Sequence, residues 1–235
     1  MIEFKELGKV IFRKSPKAKK ISISMRPFEG IRVTLPVYVS FKRAVRFVEE
    51  KESWIRRTHT RIRNAENNFT VFDFKTDFQT KEHFLTIIKT TDGKPRVKLH
   101  EGKILVMCPS DRNIKETEIQ QLIRLGIEAA WRKEAEKYLP VRLRELAVLH
   151  GFKFRKVTIK NNRSRWGSCS GSNNINLSLH IMRLPKYLSD YILLHELVHT
   201  IHKNHSKKFW DHLDEITGNA KALDRELKNY RIEIY

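Results

Sequence analysis

The sequence predicts an α+β (mixed α/β) protein, on three observations. Short segments that alternate apolar and polar residues form two clusters, within 9–35 and 83–107, each followed by a proline and then by a long stretch of helical periodicity. A third pair of alternating segments, 156–160 and 175–179, precedes an apolar stretch, Tyr191 to Trp210, in which four histidines are concentrated. The expected division is a strand-and-helix unit over 1–66, a second over 82–150 and a C-terminal region over 151–235.

In the first unit, Lys9 to Arg13, Lys20 to Met25 and Ile31 to Leu35 read as strands, with turn signals at Ser15-Pro16 and Glu29-Gly30. Ser40 has the chemistry of an N-cap, and Phe41 to Asn64 carries Phe41, Ala44, Val45, Val48 and Ile55 at helical spacing, with Trp54 beside them. Its basic residues, Arg56, Arg57, Arg61 and Arg63 among them, make either a solvated face or a phosphate contact. Asn67 to Lys81, polar and phenylalanine-containing, reads as a connection.

The second unit repeats that order. His83 to Lys89, Arg96 to Leu99 and Lys103 to Met107 read as strands around Asp92-Gly93 and Glu101-Gly102, and Pro109 follows the last as Pro36 follows Leu35. Lys115 to His150 reads as helix, with Leu122, Ile123, Gly126, Ile127, Ala130 and Trp131 on an apolar face and a break at Pro140. The repeat is one of architecture, not of sequence.

Strands at 156–160 and 175–179, turned by Gly171 to Asn174, lead to the chemistry-bearing stretch. Leu194, Leu197, Val198 and Ile201 form one apolar stripe, while Leu188 and Ile192 extend the opposite face, so this helix is buried nearly all round. Within it stands His195-Glu196-Leu197-Val198-His199, the pattern in which two imidazoles one turn apart share a metal ion. Burying two histidines and a glutamate without partners is costly, and coordination removes that cost. Glu196 falls beside the metal without being a ligand, where it can take a proton from metal-activated water.

A catalytic zinc usually takes three protein ligands. His205 lies six residues after His199, the spacing at which a chain turns back toward the metal, and a turn at Lys203-Asn204 allows it. His202, on the same face as the motif histidines, is the rival; His205 is favoured because a ligand after a turn closes a tetrahedron better. Phe209, Trp210, Leu213 and Ile216 then form a packing helix stopped by Gly218, which clamps the His205 turn. Asp211, Asp214 and Glu215 are candidates to orient the imidazoles, and a short helix from Ala220 to Asn229 closes the chain.

The chain has 235 residues, 40% hydrophobic and 31% charged, which describes a globular protein and excludes a disordered one. Its 47 Lys and Arg against 27 Asp and Glu give +20, a field that attracts nucleic acid, nucleotides or other anions, or else merely a soluble basic surface. Charges in the first six residues exclude a signal-peptide core there, and no run is long enough to span a membrane. Cys108 and Cys169 form neither a metal pair nor a disulfide framework, so a cytoplasmic location is expected.

Arg165-Trp166-Gly167-Ser168-Cys169, Asn174-Ile175-Asn176-Leu177, Pro185, the His195 to His199 motif, Asn204-His205-Ser206 and Phe209-Trp210 together resemble the YgjP-type metal-dependent hydrolases, a zincin-like family related to the SprT and WLM peptidases. The resemblance implies one zinc ion at His195, His199 and His205, with Glu196 as catalytic base, and a zincin-like C-terminal region in which substrate lies along a sheet edge. Arg163 and Arg165 stand where such an edge begins, as substrate-binding candidates or as structural partners of an acid. Trp166 and Cys169 read as packed residues and Gly167 as a backbone requirement.

Three functions fit these residues. The favoured one is a zinc-dependent hydrolase of metallopeptidase type, for which a substrate groove is expected along Ile175 to Leu179. The second is a hydrolase of nucleoside triphosphates, which needs Lys and Arg gathered around the metal. The third is a nucleic-acid-binding protein with structural zinc, which needs a fourth protein ligand.

Overall fold

The computed structural model describes residues 2–4, 7–26, 30–66, 70–91 and 93–230. The turn positions Glu29 and Asp92, residues 67–69 of the connection and the side chains of Arg61 and Arg63 lie outside the described residues. The chain forms two compact units, one up to Thr70 and the other from Val71 onward.

In the first unit, β1 (Ile2–Phe4), β2 (Gly8–Ser15), β3 (Ser22–Arg26) and β4 (Gly30–Pro36) form one sheet in the order β1-β2-β4-β3. β4 has strict alternation, so Ile31, Val33 and Leu35 face the core with Val10, Ala44, Val48 and Ile55. The stretch expected as one helix is two, α1 (Phe41–Glu50) and α2 (Glu52–Glu66). At Lys51 the N–H bonds to Val48 three residues back, a tightening that breaks the α-helical ladder. Trp54 is exposed, unlike the buried Trp131, so the two tryptophans are not equivalent.

The second unit opens with residues 71–81 wrapped on the long helix α3 (Thr117–Leu149), where buried Gln120 exchanges hydrogen bonds with both the N–H and the carbonyl of Phe72. β5 (Phe84–Thr90), β6 (Arg96–His100) and β7 (Lys103–Pro109) form a sheet in the order β5-β7-β6, and β8 (Lys156–Lys160), β9 (Gly167–Cys169) and β10 (Asn174–Ser178) one in the order β8-β10-β9. The first and third strands of each sheet run parallel, with the second antiparallel to the third; β2, β3 and β4 obey the same rule. The motif thus occurs three times.

Two expectations are corrected by α3 and β10. Pro140 does not break α3, because its missing N–H frees only the carbonyl of Glu136, on the exposed side of the helix, where water can satisfy it. The strand at 174–178 is central rather than an edge: it is paired with β8 on one side and β9 on the other. A 3₁₀ turn at Leu179–Arg183 leads into α4 (Lys186–Val198), followed by α5 (Lys207–Thr217) and α6 (Ala220–Leu227). Gly218, at φ 74°, supplies the left-handed stop of α5.

Candidate metal centre

α4 is apolar nearly all round, and Leu188, Ile192, Leu193, Leu194, Leu197 and Val198 are all buried. It ends at His199, so Ile201 falls past the helix and is exposed rather than continuing the stripe. The chain turns, and α5 starts after Ser206, whose carbonyl accepts from the N–H of Trp210. That turn carries His205 back to the two histidines of α4.

The three Nε2 atoms converge: His205 lies 3.1 Å from His195 and 3.2 Å from His199. His199 Nδ1 lies 2.9 Å from the carbonyl of His202, which can only accept. His199 therefore carries its proton on Nδ1 and directs an Nε2 lone pair into the cluster. Zn–N bonds of about 2.0–2.1 Å in a tetrahedron separate ligand nitrogens by about 3.4 Å, so the cluster fits a metal held by His195, His199 and His205. His202 takes part through its backbone; its ring packs against His212, 5.4 Å away.

Phe209 is the floor of this site. Fully buried on α5, its ring lies 4.9, 4.5 and 4.8 Å from the rings of His195, His199 and His205, while Trp210 flanks His205. Burial, reinforced by the two neighbouring imidazoles, pushes His195 down to about 3. His199 is lowered too, chiefly by burial and against the pull of its bond to the His202 carbonyl. Lowered basicity keeps these nitrogens free of protons and available to a cation.

Glu196, next to His195 on α4, is buried, and its Oε2 has no hydrogen-bond partner among the described residues. Burial pushes its carboxyl up to about 8, against the opposing field of Arg165. The backbone of Gly167 makes room for it: a Cβ at that position would stand 2.7 Å from both Cγ and Cδ of Glu196. Close approach, not a special backbone angle, is therefore what requires glycine there.

Residues 19–230 match the profile of the YgjP-like metallopeptidase domain. The chain belongs to this family. Within the YgjP-like family frame, the three-histidine cluster makes the protein a metal-dependent hydrolase with a single catalytic zinc site. Comparison with curated proteins finds no match. Among solved structures, the chain is similar to the zymogen of the metallopeptidase abylysin from Pyrococcus abyssi, at 23% identity over 41% of this chain and 98% of that one, with a TM-score of 0.35. A second similar structure is the zymogen of the metallopeptidase jannalysin from Methanocaldococcus jannaschii, at 21% identity, 38% and 93% coverage and a TM-score of 0.34.

The remaining candidates of this YgjP-like protein divide by position. Arg165 is exposed, and its charge reaches Glu196. Arg163 is engaged by the buried Glu128 of α3, which also accepts from Asn161 at 2.9 Å. Asp211 pairs with Lys207 and Asp214 accepts from the N–H of Ala220, so the orienting bond to His199 comes instead from a backbone carbonyl. Sequence reasoning missed Asp224 of α6, whose charge bears on His195 and which is ion-paired with Lys228; nothing in the sequence of that helix marks it. Lys203 donates to Asn173 Oδ1 and to the carbonyl of Ser170, at 3.3 Å, tying the metal-ligand turn to the β9–β10 hairpin.

Proposed function

We propose that this protein hydrolyses polypeptides, with Glu196 as the general base. The observation that carries the proposal is the buried Glu196 side chain, one residue after His195 on α4, with one carboxyl oxygen unpartnered among the described residues and Gly167 of the edge strand β9 packed against it. His195, His199 and His205 would hold a zinc ion, which would supply Lewis acidity toward a scissile carbonyl and a lowered pKa for water. With a cation on the three imidazoles, whose charge opposes the effect of burial and favours the ionised carboxylate, Glu196 would take the proton of the attacking water and return it to the leaving amine. An extended chain can align on β9, which among the described residues is paired only through β10 and whose Gly167 lies against Glu196.

Cation supply favours peptides over nucleoside triphosphates. A triphosphate needs several cationic partners at hydrogen-bond range. Arg163 is occupied by Glu128 and Lys203 by the hairpin, which leaves Arg165, exposed and with its charge felt at Glu196, as the candidate substrate cation of that segment. A structural zinc needs a fourth protein ligand, and the cluster among the described residues has three. The free thiols Cys108 and Cys169 support a cytoplasmic setting, and no helix among the described residues is long and apolar enough to cross a membrane. The +20 charge supports association with nucleic acid in addition.

The test incubates metal-loaded protein and Glu196→Gln with unfolded polypeptide and, separately, with nucleoside triphosphates. Peptide fragments are expected from the parent, reduced about 10²–10⁴-fold in the variant, with metal content unchanged. Glu196-dependent release of phosphate or pyrophosphate without proteolysis overturns the peptide assignment.

A further inference from the structure

Half of the excess charge resides in the first unit. Residues 1–70 hold 17 Lys and Arg against 7 Asp and Glu, a net +10 of the chain's +20. Part of this charge surrounds an open groove of about 1410 Å³ where β4 ends and α1 begins, lined by Lys19, Lys20, Lys42, Arg43 and Arg46, with Glu49 and Glu50 among its other residues. All five cations are exposed, and among the described residues none forms an ion pair. The first turn of α1 carries no acid; the Ser40 hydroxyl caps it by accepting from the N–H of Arg43.

Aromatic and apolar side chains stand in and beside the same groove. Tyr38 is 81% exposed and Phe41 49%, with Val37 between β4 and Tyr38 at 53%. Their placement is built, not loose. Tyr38 donates to the carbonyl of Lys19 across the groove at 3.2 Å, while Lys14 donates to the Val37 carbonyl at 3.0 Å and lies over the Phe41 ring. Large rings held outward beside a row of cations match a ligand with alternating π-faces and phosphates.

We propose that this face of the first unit binds single-stranded nucleic acid: the five cations contact successive phosphates, and Tyr38 and Phe41 stack on bases. This locates the nucleic-acid association inferred above and rests on that reading, while using none of the residues of the hydrolytic site. Charge complementarity favours a polyanion, and the protruding rings favour unpaired bases over a duplex, whose stacked bases offer no free face.

The experiment uses the full chain, measuring fluorescence anisotropy of a labelled 20-nucleotide single strand across salt concentrations. Lys42→Gln/Arg43→Gln/Arg46→Gln is expected to weaken binding at least tenfold and to lower the salt slope by about 2, since each phosphate contact on a single strand contributes about 0.7. Tyr38→Ala is expected to weaken binding about five- to tenfold with the slope unchanged, the mark of lost stacking. Circular dichroism confirms the fold of each variant. No binding by the parent, equal binding by the triple variant, tighter binding of duplex, or binding to anionic vesicles in preference to oligonucleotide each overturns the proposal. Both groove variants are expected to retain polypeptide hydrolysis and Glu196→Gln to retain oligonucleotide binding, so failure of one reading is distinguishable from failure of the other.

Discussion

Gly167 and Glu196 are in direct contact: the edge strand β9 passes so close to α4 that an added Cβ would stand 2.7 Å from two carbons of the glutamate side chain. Because Cγ is overlapped as well as the carboxyl group, rotating the carboxylate tip does not relieve the clash. Glu196 is 5% exposed, so it has little room to retreat.

Gly167→Ala therefore displaces the carboxylate without touching a histidine. The expected outcome is a fall in kcat of about 10²-fold, on the order caused by a 1 Å misplacement, with metal retained. Overpacking costs about 1–3 kcal/mol of stability, read by denaturant titration. A variant with the parent's kcat would show that Glu196 does not need the position it occupies.

The turn after α4 separates the roles of two histidines. His205→Ala removes a converging Nε2 and is expected to weaken metal binding by at least 10²-fold, measured with a competing chelator. His202→Ala keeps the backbone carbonyl that accepts from His199 and is expected to bind metal as the parent does. Chelation should also lower thermal stability in the parent and in His202→Ala, since a ligand at 1,000 times its Kd contributes about 4 kcal/mol to the native state. Metal loss in His202→Ala, with His205→Ala unaffected, would reverse the ligand assignment.

Much of this was legible in the sequence, for identifiable reasons. Strict alternation in β4 and β7 follows from one buried face, so period two appears directly in Gly30–Pro36 and Lys103–Pro109. The spacing of His195 and His199 is a property of one helical turn and needs no tertiary information. β9 was invisible because Gly-Ser-Cys has neither alternation nor β-branched residues; pairing with β10, Ile175 opposite Cys169 and Leu177 opposite Gly167, is what makes it a strand.

Other features depended on which face looks outward. Pro140 reads as a helix break because a lost N–H is costly when its partner is buried, and the Glu136 side of α3 is exposed. The partner of Arg163 lies 35 residues away on α3, beyond the reach of local pattern. His202 and His205 both offered rings in the sequence; only the turn shows that one contributes a carbonyl and the other a nitrogen.

Arg163 and Arg165 are expected to fail in different measurements. Arg163→Met leaves buried Glu128 with Asn161 alone from this pair of partners, costing about 1–3 kcal/mol of stability, while its effect on catalysis follows from loosening the segment that leads to Gly167. Arg165→Ala, on an exposed side chain, should leave the unfolding midpoint within about 0.5 kcal/mol of the parent and change KM or kcat instead. Unchanged kinetics in Arg165→Ala would remove it from the substrate-binding set.

His180 makes stability depend on pH. It is fully buried on the 3₁₀ turn with Nε2 2.9 Å from Asn161 Oδ1, and its ring lies 6.0 Å from that of Trp131. Burial, aided by Arg183 and Arg163 and opposed by Glu128, pushes it down to about 4 from an ordinary 6.5. Between those values the unfolded chain binds a proton that the native one does not, so stability is full above pH 6.5 and falls as pH drops toward 4. A difference of about 2.5 pH units corresponds to about 3 kcal/mol, most of it lost by pH 4.5. His180→Gln cannot titrate, so the stability difference between parent and variant, measured by denaturant unfolding at pH 7 and pH 4.5 in chelator, should shift in favour of the variant at low pH. Subtracting the variant cancels the other histidines, which titrate alike in both proteins. Parallel stability curves would show that His180 is not the proton-linked group.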